Sequence, residues 1–464
     1  MRLPKPGSGG SAADGAPCWP RSPAGSPAGP APAALHGEHR ADVAVVGAGL
    51  LGLTTALLLA EANPSRRVVV VDAAAPAAGA SGRGTGLLGP RVGPPVERAR
   101  RRFGDAVARR MFQASIDAVR DVHRLTERLG IDCGLRTGGQ LMVARSPRQA
   151  QQLRRRADCY RDLGFDVPLL SPDEVHDRIA MPGTAALLYR EAATLDPAAL
   201  TLGLAAAAEK RGVRVYGHSP VLSLRPDGTG HRLDLPAGRL QVDTIVVAVN
   251  AYAGGLGLPI GTVLPLEVHA VATAPLDEDL LASIWPSPQY AVIDADPLAP
   301  YVRTTPDRRL VIGGGRPLLS AGLSTGQRAR HRAAVWTWLT EQLRARHPRL
   351  ADVAIDHRWS GPIAMTTDGL PVVGPVTGRP GLWYAGGCNG HGLAMSVAHA
   401  HHLARRIDGG AAEPAEPWHR SQAPWLPIGA AARPLLRVYL SHLDRRVRRD
   451  LHRTRREGDA PVPA

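Results

Sequence analysis

The chain has 464 residues, of which 44% are hydrophobic and 21% charged; these values are typical of a globular protein and exclude a wholly disordered chain. Its four cysteines are too few for a disulfide scaffold. None of them forms a CxxC pair, so we expect no structural zinc site or other metal. The net charge of +15 comes without a nucleic-acid-binding signature, so it indicates a solvated basic surface. Because the sequence has no signal-like or membrane-length apolar run, we expect a cytoplasmic protein.

The chain begins with a segment unlike the rest. Residues 1–40 are rich in Pro, Ala, Gly and Ser, and we expect a disordered tail there. An apolar strand follows from Asp42, then a helix over 49–61 and a second apolar strand ending at Asp72. This strand–helix–strand order is typical of a parallel sheet.

Helix signals mark the middle of the chain. Residues 97–130 have helical spacing, and Ser171 and Asp196 each precede a proline that suits the first position of a helix. The remaining predicted elements are strands over 244–250, 263–274 and 300–313, a helix over 324–346, and a strand and helix over 382–406.

The C-terminal residues predict a Pro-rich linker, 411–432, and a basic helix that ends near Arg456. The apolar side chains of this helix fall on one stripe, and arginines crowd its other faces. The stripe either packs on the protein's own surface or lies on an anionic membrane. We favour the first, because the stripe has the width of an ordinary docking face.

The first motif is the GxGxxG of Gly47, Gly49 and Gly52, between the first strand and the first helix. Such glycines permit a tight turn, close approach of a pyrophosphate and close helix packing. Asp72 is placed to accept hydrogen bonds from a ribose. The alternative is a glycine-rich turn without a ligand, and the motif alone does not separate FAD from NAD.

The second motif is the glycine-rich segment 79–86, directly after Asp72. Its Ser81 and Arg83 are candidate phosphate-binding side chains, and the alternative is a surface loop. The third motif is the loop 386–393, between a strand and a helix whose positive end suits a developing anion.

Together these segments resemble the D-amino-acid-oxidase-like (DAO) FAD-dependent oxidoreductases. The resemblance rests on the GxGxxG, the ASGR of 80–83, the TxDGLPxxG of 366–374 and the GxxGHG of 387–392. It covers residues 42–406, and the Tyr301–Arg303 strand looks most like the gamma-glutamylputrescine oxidase and glycine oxidase branch.

The resemblance implies an α/β fold with two domains. A Rossmann-like FAD-binding domain with a mostly parallel sheet would comprise residues 41–92, 188–262 and 355–410. An α+β substrate domain with an antiparallel sheet would comprise residues 93–187 and 263–354.

The resemblance also implies the site. FAD would be non-covalent, because the flavin-linking cysteine of sarcosine-oxidase-like members would fall near Gly361. The implied cofactor-binding residues are Gly47, Gly49, Gly52, Asp72, Ser81, Arg83, Val221 (through its backbone), Gly390, Gly392 and Leu393.

The implied reaction is oxidation of an amine or amino acid, with hydride transfer to flavin N5 and hydrolysis of the resulting imine. The catalytic candidates are His391 beside the flavin, Arg303 as a clamp for a substrate carboxylate, and His269. Arg303 is alternatively an exposed sheet arginine, and His269 a packed histidine.

Two departures from sarcosine-oxidase-like members leave the electron acceptor open. Leu393 and Ala394 stand where those members carry a substrate-binding lysine, and the ordered part has only Lys210 for their oxygen-activating lysine. The acceptor is therefore O2 or, as an alternative, a quinone or carrier. The alternative to an enzyme is a non-catalytic flavin-binding or membrane-surface protein. Membrane contact is less favoured, and no nucleic-acid partner is expected.

Overall fold

A computed structural model of the chain describes residues 15–19, 32–286, 290–296, 298, 300–319, 323–410, 416–425, 434, 438, 440–442 and 445. Two eight-stranded sheets and one three-stranded sheet organise these residues. The buried apolar side chains lie on the faces of the two large sheets and against the helices that cover them. The α/β fold expected from the sequence is confirmed.

The strands of the described residues follow in chain order. They are β1 (Gly37–Val46), β2 (Val68–Val71), β3 (Leu87–Leu88), β4 (Arg136–Thr137), β5 (Gln140–Ala144), β6 (Leu169–Leu170), β7 (Ala185–Tyr189), β8 (Ala193–Thr194), β9 (Arg214–Tyr216), β10 (Ser223–Asp227), β11 (Gly230–Leu235), β12 (Gly238–Val247), β13 (Val263–Thr273), β14 (Ala291–Asp294), β15 (Tyr301–Thr304), β16 (Leu310–Leu318), β17 (Ile355–Thr366), β18 (Val372–Pro375) and β19 (Leu382–Gly386).

The helices of the described residues are α1 (Leu50–Ala62), α2 (Ala80–Arg83), α3 (Val96–Phe103), α4 (Asp105–Leu129), α5 (Pro147–Asp162), α6 (Pro172–His176), α7 (Pro197–Glu209), α8 (Glu278–Ile284), α9 (Thr325–Arg344) and α10 (Gly392–Ile407), with 3-10 turns at Asn250–Leu256 and Pro348–Leu350. The predicted capping residues hold, because Ser171 begins α6 with a capping box and Asp196 caps α7. Among these helices, none is both long and apolar enough to span a membrane.

The first large sheet has a parallel centre. Strands β19, β12, β1, β2 and β9 run parallel, and β10, β11 and β18 extend the sheet antiparallel. All four valines of β2 are buried, as expected for a strand covered on both faces. Because β1 and β2 are parallel neighbours joined through α1, the GxGxxG turn and Asp72 meet at one edge of this sheet.

The second large sheet has the order β17-β13-β16-β15-β14-β5-β7-β6 and is antiparallel except between β14 and β5. Helix α9 packs on one face, with Trp338 and Leu339 among its buried residues. Residues 355–366, which we assigned to the FAD-binding domain, instead form β17, which pairs with β13 along its length. The boundary at 355 was implied by the family resemblance, which does not report this strand pairing.

Both terminal predictions need correction where the structure describes them. Residues 37–40 belong to β1, and Gly15–Trp19 packs against the protein, with Trp19 only 5% exposed. Of the predicted linker, residues 416–425 also pack, with Trp418 buried. The predicted basic helix lies, apart from isolated residues, outside the described residues.

Candidate functional site

The turn between β1 and α1 has a backbone that only glycine permits at two positions. Gly47 has φ +115°, a conformation that L side chains rarely adopt. A Cβ on Gly52 would collide with the Gly47 carbonyl oxygen. Gly49 is the N-cap of α1, so the first N–H groups of the helix face this turn. The turn therefore has the form that binds a phosphate at a helix N-terminus.

Two side chains from other elements hold this turn. The Asp72 Oδ2 atom accepts a hydrogen bond from the Ala48 amide at 2.7 Å, and Oδ1 accepts one from the Ala74 amide at 2.8 Å. Ser81 Oγ accepts one from the Leu50 amide at 3.0 Å. Burial raises the pKa of Asp72 above its usual value. Each carboxylate oxygen keeps a second acceptor site, so Asp72 remains suited to bind a ribose hydroxyl.

Arg83 donates to three backbone carbonyls, and the phosphate contact that we expected for it stays a prediction. Its Nε donates to the Ala78 carbonyl at 3.2 Å, and its Nη1 donates to the carbonyls of Ser360 and Gly15 at 3.0 and 2.8 Å. A Cβ on Gly361 would lie 3.1 Å from the Arg83 Cβ. The Arg83 guanidinium therefore ties α2 to β17 because backbone carbonyls already engage it.

Val221 lies just before β10 rather than within a strand, and it is half-buried against the apolar cluster of the first sheet. The amide of its neighbour Leu222 donates to the Asp234 carbonyl at 2.8 Å. The contact between its backbone and adenine stays a prediction.

The loop between β19 and α10 is held by two asparagines. Asn250 and Asn389 have φ of +45° and +52°, the left-handed region. Asn389 Oδ1 accepts from the Thr366 amide at 2.9 Å, and its Nδ2 donates to the Gly387 carbonyl at 2.6 Å. Asn250 Oδ1 accepts from the Gly387 amide at 3.0 Å. We gave neither asparagine a role; the signal available was that Asn enters the left-handed region more readily than most residues.

Open space lies beside both glycine-rich regions. A Cβ on Gly79 would meet no atom within 4 Å, and one on Gly390 would meet a single atom at 4.0 Å. Gly392 begins α10, and Leu393 is half-buried against the main core. A bound group beside Gly79 or Gly390 would therefore lie next to main chain rather than side chains.

His391 is the N-cap of α10, and its ring Nδ1 lies 2.9 Å from the Asn389 carbonyl oxygen. Because a carbonyl only accepts, Nδ1 carries the proton in this bond and Nε2 is left as an acceptor. Burial lowers the pKa of His391 to about 3, and the nearby charge of Arg91 adds to the shift. His391 is therefore neutral at physiological pH.

Arg91 is the functional candidate that the sequence analysis missed. Its side chain is exposed, yet desolvation by the surrounding protein lowers its pKa. Solvent therefore reaches the side chain, although the surrounding protein disfavours its charge. Among the described residues, no hydrogen bond or ion pair to its guanidinium is found, and Tyr160, Tyr189 and Glu97 act on it only through electrostatics at longer range. The loop that carries it has no recognised motif, so only the fold brings it close to His391.

Arg303 is neither the exposed sheet arginine nor the accessible carboxylate clamp that we considered. It is 0% exposed, and its Nη1 donates to the carbonyls of Leu195 at 2.6 Å, Gly86 at 3.0 Å and Thr85 at 3.4 Å. The Trp19 ring covers the guanidinium, with its centroid 5.3 Å from the Arg303 Cζ. A substrate therefore has no path to this guanidinium.

His269 does not lie on the face of the second sheet that carries Arg303. It is 1% exposed, its Nδ1 lies 2.8 Å from Ser360 Oγ, and its ring centroid lies 5.4 Å from that of His331 in α9. Burial lowers the pKa of His269 to about 3. Strand alternation places His269 on the face under α9, which favours the packed-histidine alternative over a catalytic role.

Asp368, in the TxDGLP motif, has a structural partner. It forms two hydrogen bonds with Arg420, at 2.6 and 3.0 Å, and its Oδ1 also accepts from the Leu370 amide at 3.2 Å. The Asp368 pKa is lowered because these bonds outweigh the opposing effect of its burial. Asp368 therefore shapes its own turn and anchors the segment 416–425.

These residues fit FAD. The turn of Gly47–Gly52 offers helix N–H groups for a pyrophosphate, Asp72 offers an acceptor for a ribose, and open space at Gly390 adjoins the N-terminus of α10. Within the described part of the chain, no group of three or more His, Cys, Asp or Glu side chains could hold a metal ion.

Comparison with known proteins identifies the family. The family model described as "FAD dependent oxidoreductase" (DAO) matches residues 42–406. The gamma-glutamylputrescine oxidoreductase of Escherichia coli K12 is 30% identical over 370 residues, covering 79% of this chain and 82% of the relative. The glycine oxidase of Geobacillus kaustophilus HTA426 is 28% identical, covering 77% of this chain and 90% of the relative.

Solved structures share the fold. The crystal structure of glycine oxidase from Geobacillus kaustophilus superposes with a TM-score of 0.69 at 24% identity, covering 84% of this chain and all of that one. The L-proline dehydrogenase from P. horikoshii superposes with a TM-score of 0.68 at 18% identity, covering 83% of this chain and 97% of the other. With its motifs, its fold and a family match over most of its length, the chain belongs to the DAO family of FAD-dependent oxidoreductases.

Proposed function

We propose that the chain oxidises the carbon–nitrogen bond of a small amine that carries a carboxylate, with non-covalently bound FAD as the immediate electron acceptor. The family assignment supports flavin chemistry, and relatives are named for glycine and for gamma-glutamylputrescine. The observation that carries the choice of a carboxylated amine is Arg91.

Arg91 presents a cation that has no protein partner among the described residues but remains open to solvent beside the loop of His391. Surrounding protein makes this charge unfavourable, and an arriving carboxylate relieves the cost by forming charge-assisted hydrogen bonds. Arg303 and His269 no longer compete for this task, because both are enclosed by protein. Arg91 is therefore the side chain that selects a carboxylated substrate.

The remaining residues suit a neutral amine. His391 carries its proton on Nδ1 and leaves Nε2 to accept an N–H. A neutral imidazole places no positive charge against an approaching amine. When bound, FAD supplies the acceptor for the electrons, and the N-terminus of α10 stabilises negative charge near it.

The absence of a linking cysteine supports non-covalent attachment. Gly361 stands near the place of that cysteine in sarcosine-oxidase-like members, and a Cβ there would lie 3.1 Å from the Arg83 Cβ. Acid denaturation of the purified protein should release all of its flavin into the supernatant. Flavin that stays with the precipitated chain would contradict this attachment.

A quinone or another carrier is a second candidate for the final electron acceptor. Lys210, the lysine within the described residues, is the C-cap of α7, at the end of a helix far along the chain from both loops. Turnover with an artificial quinone that exceeds oxygen consumption by tenfold or more would favour a dehydrogenase; the reverse ratio would favour an oxidase.

The test of the proposed function compares Arg91→Met with Arg98→Met, which removes the same charge from an exposed position on α3. Loss of hydrogen bonds to a charged group should raise KM for carboxylated amines by about tenfold to a hundredfold in Arg91→Met. The Arg98 variant should match the wild type. Equal KM values in all three proteins would remove Arg91 from substrate binding.

A further inference from the structure

Four successive backbone carbonyls after α2 each accept a hydrogen bond from a side-chain N–H. We call residues 83–86 the clamped segment. The bonds join Trp359 Nε1 to the Arg83 carbonyl (3.0 Å), Trp19 Nε1 to the Gly84 carbonyl (2.8 Å), and Arg303 Nη1 to the carbonyls of Thr85 (3.4 Å) and Gly86 (3.0 Å).

The three donors come from distant parts of the chain and are excluded from water. Trp19, Arg303 and Trp359 are 5%, 0% and 1% exposed. Trp19 and Trp359 share an apolar cluster with small side chains of α7 and the second sheet. Because no water competes for the carbonyls, these bonds fix the direction of each one.

The buried charge of Arg303 is costly to keep. Its Nη2 atom has no hydrogen-bond partner, and no carboxylate forms an ion pair with it in the described structure. A packed apolar side chain would avoid this cost. The guanidinium, however, supplies donors that hold adjacent carbonyls in one orientation, and an apolar side chain would not.

Fixing these carbonyls also fixes the N–H groups of the segment. In a trans peptide the N–H of the next residue points away from the carbonyl, and the described residues contain no cis peptide. The N–H groups of residues 84–87 therefore face away from the three donors. The segment begins two residues after Ser81, whose Oγ binds the glycine turn through the Leu50 amide, so it adjoins that turn along the chain.

We propose that Trp19, Arg303 and Trp359 are positioning residues that orient the N–H groups of residues 84–87 toward the flavin. Arg303 thus acts through the main chain and does not touch the substrate. The proposal rests on the proposed function only in taking FAD as the ligand; it does not depend on which substrate is oxidised.

Conservative variants test this assignment. Trp19→Phe and Trp359→Phe keep an aromatic ring and remove one N–H, and Arg303→Lys keeps the charge. Trp336→Phe is the matched control, because Trp336 Nε1 also donates to a backbone carbonyl, that of Trp359, at 3.0 Å, but does not contact the clamped segment. For each protein the FAD dissociation constant, the visible circular dichroism of the bound flavin and the melting temperature of the apoprotein are measured.

We expect Trp19→Phe and Trp359→Phe each to weaken FAD binding about fivefold, the value of one hydrogen bond. Both should alter the flavin circular dichroism, as should Arg303→Lys. The Trp336 variant should lower the melting temperature of the apoprotein as much as Trp19→Phe and Trp359→Phe do. It should leave the FAD dissociation constant and the flavin circular dichroism at wild-type values.

Three results would overturn the proposal. The first is that all four variants show wild-type FAD affinity and dichroism, and the second is that the Trp336 variant matches the other three. The third is faster flavin reduction by substrate in Trp19→Phe, which would make Gly15–Trp19 an inhibitory plug. Failure of every amine to reduce the flavin would contradict the proposed function alone, because the measurements above need only FAD.

Discussion

The turn at 47–52 and the loop at 386–392 are both glycine-rich connections from a strand of the first sheet into a helix, but different parts of the chain hold them. In the turn, the main steric constraint is internal, because Gly52 packs on the carbonyl of Gly47. In the loop, the constraints come from outside, through Thr366 at the end of β17 and Asn250 after β12.

The turn and the loop therefore obtain their stability from different contacts. A turn that is defined by its own backbone fails when one glycine is changed. A loop that is held by several side-chain hydrogen bonds should lose stability in steps. Substitutions in the two regions therefore test this distinction.

The largest effect is expected at Gly52. In Gly52→Ala the Cβ would collide with the Gly47 carbonyl, so α1 must shift; we expect destabilisation of about 3 kcal/mol or more and loss of FAD retention after desalting. Gly326→Ala in α9 is the control, since its Cβ would meet only the flexible end of Arg330. A Gly52 variant that retains FAD like the control would refute the internal constraint.

Asn389 tests the stepwise behaviour of the loop. Asn389→Ala loses its bonds to Thr366 and Gly387 and also retains a strained φ; we expect a loss of about 2–3 kcal/mol in the free energy of unfolding. Asn389→Gly removes only the bonds and should recover about 1 kcal/mol of this. Identical urea midpoints for the two variants would mean that strain contributes nothing.

Asp72 is the point at which the first turn also depends on a distant side chain. Asp72→Ala leaves the amides of Ala48 and Ala74 without their acceptor and should weaken FAD binding by about 1–3 kcal/mol. Asp42→Ala is matched to it, because Asp42 also accepts from a backbone amide, that of Arg67 at 2.7 Å, away from the turn. Equal FAD affinity in the two variants, measured by flavin fluorescence, would contradict a ribose-binding role.

A smaller effect on stability is expected when the pH is lowered, and it depends on a buried histidine of α10, the helix that follows the loop at 386–392. His399 in α10 is 1% exposed, and burial beside His402 and His419 lowers its pKa to about 3. The native state thus keeps His399 neutral while the unfolded chain protonates it below about 6.5, so stability is complete above that pH and declines as the pH falls toward 3.

The decline from His399 should be about 1 kcal/mol per pH unit below 6.5, and His399→Leu should remove it. Urea unfolding at pH 7 and at lower pH measures the slope. Of the two helices, α10 carries this acid-sensitive group, because α1 buries no His, Asp or Glu. The same slope in wild type and variant would assign it to other groups.

The sequence predicted the first region better than the second for a physical reason. Glycines with fixed spacing between a strand and a helix predict the geometry of the turn that they form. The sequence therefore located Gly47, Gly52 and Asp72 beside one another. The roles of Asn250 and Asn389 depend on partners far along the chain, and no local pattern reports them.

Other failures have the same origin. Trp19 lies in a stretch whose composition indicates disorder, yet one indole fits an apolar slot that only the folded protein forms. No local pattern around Arg303 indicates that Trp19 covers it. Arg91 belongs to no motif, and its value as a binding group depends on the absence of a protein partner.

The most direct test of the account is anaerobic mixing of the purified yellow protein with pairs of amines that differ only in a carboxylate. We predict that the visible flavin absorbance falls with the carboxylated member at concentrations about tenfold or more lower than with its partner, and that Arg91→Met removes this preference. An absorbance that stays constant with every amine, or a preference that survives in Arg91→Met, would contradict the account.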